Sequence, residues 1–361
     1  MKPLRFGRKR VSLAGATTRW CSLLTMLLCI GCIQRSEQSV TIYCATDREF
    51  AAPILDAFER ASFQTQSNPS ESNEQVVRVF DVESSKTLGL VTRIEQEIAQ
   101  PKCDVFWNNE ILHTIRLQKA GLLEPRRWSI PDGWPEGFIA SDRSWIGYAA
   151  RARVLIVNTE KLADKSQWPQ SVQELASEKW KGLCGYANPV YGTTATHFAV
   201  LASHPQALQE TSWNDWLADV RKHAVVLAGN KQVALAVASG ELAWGLTDTD
   251  DAIIEKEKGM PVEMVFPDQL PEQFGTVFIP NTVAVIRKAP HPVLAAKLAD
   301  YLVSEKTESR LAMSSSAHFP IWPGAQEQSR IETLGIRRAK IDFERAAETW
   351  ARANAMEPAA K

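Results

Sequence analysis

Apolar and polar positions along this chain fall into two alternating periods. Val40-Thr41-Ile42-Tyr43-Cys44, Val76-Val77-Arg78-Val79-Phe80 and Asp104-Val105-Phe106-Trp107 are short apolar runs of strand length. Between and after them, residues 51–61, 88–99 and 111–120 carry apolar side chains at helical spacing, with Ile54, Leu55 and Phe58 marking the first. This β-α-β-α-β order predicts an α/β fold with a doubly wound, largely parallel sheet. The strand ends at Ala45, Asp81 and Asn108 then face one edge, where the ligands of such sheets sit.

The same grammar continues after residues 125–143, a stretch rich in Pro, Trp and Gly that reads as a connection between two lobes. Residues 145–148 and 154–158 read as a strand pair around Arg151 and Arg153. A further apolar run at 183–186 leads into Tyr191-Gly192-Thr193-Thr194, which opens a helix over 195–203. Helices are predicted at 213–223, 232–239, 252–258, 290–305 and 331–356, and strands at 242–246, 262–266 and 282–286. The lobes are expected to comprise residues 40–143 with 262–290, and 144–261 with 291–361.

The first 31 residues depart from this pattern. Six basic residues and no acid precede an apolar core at 20–30, as in a secretory signal too short to remain as a spanning helix. Without those six, 35 basic residues face 42 acidic ones, a net charge of −7, which argues against a nucleic-acid partner. The core ends in Leu28-Cys29-Ile30-Gly31-Cys32, which resembles a bacterial lipobox with Cys32 as the acylated first residue of the mature protein; residues 1–32 are then a signal with a lipobox-like end, and 33–39 a short polar tether. Cys44, Cys103 and Cys184 are read as buried thiols, with a single bridge between two of them as the alternative.

Candidate chemistry gathers at the strand ends. Trp244-Gly245-Leu246-Thr247-Asp248-Thr249-Asp250-Asp251 packs three carboxylates and two hydroxyls into five residues where a strand opens into a helix. Helix capping explains one or two of these acids and not all three. Thr46 and Asp47 follow the first strand. Ser84, Ser85 and Lys86 precede a helix and could hold an anion on its first-turn N–H groups, or simply cap it. Asn108, Asn109 and Glu110 end the third strand, and Tyr191, Thr193 and Thr194 open the later helix. His197 is retained as an accessory candidate. No GxSxG, HExxH, Walker A or GxGxxG motif is present, so a small polar or charged solute in a cleft is favoured over catalysis. Asp248, Asp250, Asp251 and Tyr191 are the candidate metal ligands, being hard oxygen donors. Asp248 and Asp251 are expected to be exposed cleft residues whose loss costs little stability.

The order of motifs resembles the type II periplasmic solute-binding proteins of ABC importers, in particular the ferric-ion-binding group, over roughly residues 40–320. It rests on Val40-Thr41-Ile42-Tyr43, on Asp104-Val105-Phe106-Trp107 with Ala120-Gly121-Leu122-Leu123-Glu124-Pro125, on Gly147 through Arg151-Ala152-Arg153-Val154 to Asn158-Thr159, and on Lys179-Trp180-Lys181-Gly182. The resemblance implies two α/β lobes around a ligand cleft, a monomer delivering its solute to a permease and its ATPase, and no cofactor beyond iron(III) as the transported solute. Members of that group hold iron mainly with tyrosinates. Here the late tyrosine pair falls on Asp248-Thr249, and only Tyr191 stands where a ligand tyrosine would. An aminoalkyl phosphonate, held by two hydroxyl-rich helix starts and an aspartate, is the competing solute; a secreted hydrolase is the competing class.

Overall fold

The computed structural model describes residues 39–63, 75–80, 86–190, 192–209, 211–332 and 335–356. The signal-like segment 1–32 with Cys32, and also Ser84, Ser85 and Tyr191, lie outside them. The first lobe begins with β1 (Ser39–Cys44), α1 (Arg48–Phe63), β2 (Gln75–Phe80), α2 (Lys86–Gln96), β3 (Val105–Asn108) and α3 (Leu112–Lys119). The three strands are parallel in the order β2-β1-β3, as the alternation of short apolar runs and helices requires. Both faces are covered. Val40, Ile42 and Cys44 enter one core and Tyr43 the other, and Val105 and Trp107 alternate with Phe106 in the same way.

β4 (Trp145–Asn158) joins the lobes as one strand of 14 residues, every one buried, where the sequence predicted a strand pair. Its two halves differ in partner rather than in conformation. Beyond β4 come β5 (Cys184–Ala187), α4 (Gly192–Ser203), α5 (Trp213–His223), β6 (Val225–Leu227), α6 (Asn230–Ala238), β7 (Trp244–Asp248), α7 (Thr249–Glu257), β8 (Val262–Val265) and β9 (Phe278–Val285). Residues Trp145 to Ala152 of β4 pair with β9, which pairs with β3, and residues Arg153 to Asn158 pair with β7 and β8. The second lobe completes its sheet as β7-β5-β6 with parallel pairs. The short edge strand β6 escapes sequence reading because Val225 and Val226 are exposed.

The chain closes with α8 (Pro292–Leu302), α9 (Glu305–Met313), α10 (Pro323–Gln326) and α11 (Phe343–Met356). The single helix predicted over 290–305 stops at Leu302, and Ser304 caps a new one through Thr307 N–H. Only the last part of 331–356 is helical. Strand pairing also places residues differently from the predicted boundaries: β8 belongs to the second sheet, while Leu294, Ala295 and Leu298 of α8 pack into the core beneath β1.

At the crossing point the β4–β9 ladder is irregular between Tyr148 and Arg151, and Ala149 lies at φ 41°. Its N–H donates to Glu308 Oε1 at 2.6 Å, and Glu308 Oε2 accepts from Ile321 and Trp322 N–H at 2.7 and 2.6 Å. Burial pushes this carboxyl up to about 7 against the pull of the three N–H donors. Glu308→Gln turns one acceptor into a donor facing N–H groups, and is expected to cost about 1–3 kcal/mol in urea unfolding.

Candidate functional site

β7 ends at Asp248 and α7 starts at Thr249, so the acidic run lies across a strand-to-helix junction. The antiparallel register sets Arg153 opposite Asp248. Arg151, two residues earlier, emerges on the same face of β4. Gly245 lets α6 come close: a Cβ there would stand 2.4 Å from Val233, and the approach seats Asn230, the first residue of α6, beside the aspartate.

Asp248 is 1% exposed rather than an exposed cleft residue. Its Oδ1 accepts from Arg153 Nη1 at 2.5 Å, and its Oδ2 accepts from Thr193 Oγ1 at 2.6 Å and Asn230 Nδ2 at 3.0 Å. It occupies the N-cap of α7 without capping it, so capping does not explain this residue. Burial alone would raise its carboxyl; Arg153 and Arg151 outweigh that and hold it below the ordinary range. Arg153, fully buried, is saturated by Asp248, Thr193, Thr194, Asn230 and Nδ1 of His197. His197 is neutral, since burial and then Arg153 push it well below its usual value, and it serves as an acceptor.

Asp250 is different. It is 5% exposed, its Oδ2 meets Arg151 Nη1 at 3.3 Å, and its Oδ1 has no hydrogen-bond partner among the described residues. Burial pushes this carboxyl up to about 6, Arg151 opposes, and Asp248 and Asp47 add to the rise. Asp248, Asp250 and Asp251 each bring a carboxylate oxygen to within 4.8 Å of the others. That is a spacing one cation spans with oxygen ligands.

These groups line a cleft of about 760 Å³, reached by Asp47, Arg48 and Asn109 from the first lobe and by Thr193, Thr194, Asn230, Lys231 and the three aspartates from the second. Six carboxylates and four cationic side chains line it, a formal charge of −2. Thr46, Asn108, Glu110 and Thr249 are engaged within the fold instead. Thr46 is buried and donates to Asn281 Oδ1. Asn108 and Glu110 form a network with Thr114, in which Glu110 accepts the N–H groups of Leu112 and His113 at the start of α3. Asn109 holds Thr87 with its side chain and Arg151 with its backbone carbonyl. Thr249 Oγ1 accepts from Ala152 N–H. Lys86 is the first residue of α2. The functional groups that sequence reading passed over are Arg151, Arg153 and Asn230. The first two were legible only as alternate positions of one strand.

Two lobes joined by a crossing strand, with a charged cleft at their strand ends, define a solute-binding architecture. A model of the bacterial extracellular solute-binding proteins matches residues 63–337, and the chain belongs to that family. It is 25% identical over 299 residues to the major ferric iron-binding protein of Neisseria meningitidis, covering 82% of this chain and 84% of the relative. The apo ferric ion-binding protein A of Pasteurella haemolytica superposes with a TM-score of 0.73 at 20% identity, covering 88% of this chain and 96% of that one. The periplasmic binding protein AfuA of Actinobacillus pleuropneumoniae, with exogenous fructose-6-phosphate bound, superposes with a TM-score of 0.70 at 20% identity, with coverage of 88% and 96%.

Proposed function

We propose that this protein is the extracytoplasmic solute-binding component of an ABC importer and that its solute is iron(III) or another hard metal cation, bound by carboxylate oxygens between the lobes. One observation carries the cation reading. Asp250 Oδ1 is a buried acceptor with no donor among the described residues, in a cleft of net negative charge. Such an orphan is costly, and a cation removes the cost. Asp250 and Asp251 are the ligands, beside Asp248, whose charge Arg153 already neutralises. The relative in Neisseria, named for ferric iron, supports the choice of metal.

An anion finds less here. Thr193 and Thr194, the hydroxyls it would use at the start of α4, donate to Asp248 and Asn230. The protein acts by binding rather than catalysis, as a monomer held at the cell envelope by acylated Cys32, and hands its solute to a permease and its ATPase.

Thermal unfolding at pH 7.5 with iron(III) citrate, Mn(II), aminoethylphosphonate or fructose 6-phosphate tests the reading. Iron at 100 times its dissociation constant adds about 2.7 kcal/mol, a clear rise in midpoint. A rise with either phosphorus compound and none with metals would sink it. Because Asp250 protonates near 6, iron affinity should fall about tenfold per unit below pH 6. In the metal-free protein the sign reverses. A carboxyl whose pKa is raised on folding costs stability as pH climbs from its ordinary value through 6, so the gain from iron is largest above pH 6.

A further inference from the structure

We infer that Arg151 is a resident cation standing in the solute's place, so that a metal ion enters by exchange against its guanidinium and the cleft accepts only cations of higher charge. This rests on the cation reading of the site above. The two arginines of β4 differ in how they are held. Arg153 has every donor group engaged at the back of the site. Arg151 lines the cleft itself; its contacts to Asp250 and Asp248 are long, at 3.3 and 3.7 Å, and its buried Nε has no partner among the described residues. Its other anchor among the described residues is the carbonyl of Asn109, just past the end of β3.

Asp250, Asp248, Asp47 and Asp251 line the same cleft, Asp250 and Asp248 in contact with Arg151, and a bound metal would face the same groups. A singly charged cation that replaced the guanidinium would gain nothing in charge and would lose the Asn109 contact. A di- or trivalent ion gains two or three times the attraction at the same distance, and this outweighs loss of one loosely paired guanidinium. Arg151 thus sets a threshold of charge, and Asp250, its nearest carboxylate, is the group it releases.

The test compares Arg151→Gln and Arg151→Lys with the unaltered protein at pH 7.5, measuring Fe(III) by competition against citrate and Mn(II) by titration calorimetry. Gln removes the charge and can still donate to a carbonyl; Lys keeps the charge and loses the planar fork. Arg151→Gln is expected to bind both metals at least about tenfold more tightly, and Arg151→Lys to stay within about threefold of the unaltered protein. Unchanged or weaker binding by a folded Arg151→Gln overturns the inference, as does equal tightening by both variants. If the unaltered protein also fails to bind either metal, the cation reading has failed, and the exchange fails with it. Thermal unfolding without metal confirms that each variant is folded.

Discussion

Asp250→Asn is expected to weaken iron(III) binding by about 100-fold, or about 2.7 kcal/mol, while leaving the metal-free protein at least as stable as before. The amide has nearly the shape of the carboxylate and can still accept from Arg151, so packing at the start of α7 is kept. The charge is lost, and with it the one buried carboxylate oxygen of the cleft that has no donor among the described residues. Burial already pushes Asp250 toward its neutral form, with a pKa of about 6, so a neutral side chain relieves the folded state at pH 7.5 rather than straining it. Competition with citrate, paired with thermal unfolding, separates the two effects. Iron affinity within threefold of the unaltered protein would show that Asp250 is not a ligand.

The second large effect concerns stability. Arg153→Met should destabilise the protein by about 3–5 kcal/mol, because it leaves Asp248 buried without the cation that neutralises it. Thr193 and Asn230 would still donate to Asp248, but neither carries a charge, and the guanidinium of Arg151 stands farther off at 3.7 Å. Asp248→Ala is costly for the mirror reason, contrary to the small effect expected of an exposed residue. The double variant Arg153→Met, Asp248→Asn should recover part of the loss, since neither charge is then stranded, and a double-mutant cycle in urea measures the coupling. Strict additivity of the two single losses would show that the pair does not act as a unit.

These two predictions treat neighbouring aspartates of one loop oppositely, which nothing in the run Thr247-Asp248-Thr249-Asp250-Asp251 distinguishes. The first and second carboxylates of the cluster, Asp248 and Asp250, lie on opposite sides of a strand-to-helix boundary. One is placed by strand register against Arg153; the other follows the first turn of α7. Asn230 and His197 likewise join the site only because Gly245 lets α6 approach and because α4 packs against the same strand face. Asn108 and Glu110 were singled out for being polar at a strand end, and that same property suits them to bracing the start of α3 instead.

Local periodicity was enough to read the α/β class, the parallel first three strands and the buried thiols of Cys44, Cys103 and Cys184, because apolar spacing decides which face of each element is buried. The continuity of β4, the transfer of β8 to the second sheet and of α8 to the first, and the division of the acidic loop into a neutralised Asp248 and an unsatisfied Asp250 were decided by tertiary structure. Each depends on which distant strand supplies a hydrogen-bonding edge or an opposing charge. Long-range pairing of that kind leaves no period in the sequence, and in the low dielectric of a buried site it determines whether a carboxylate is already neutralised or still able to take a cation.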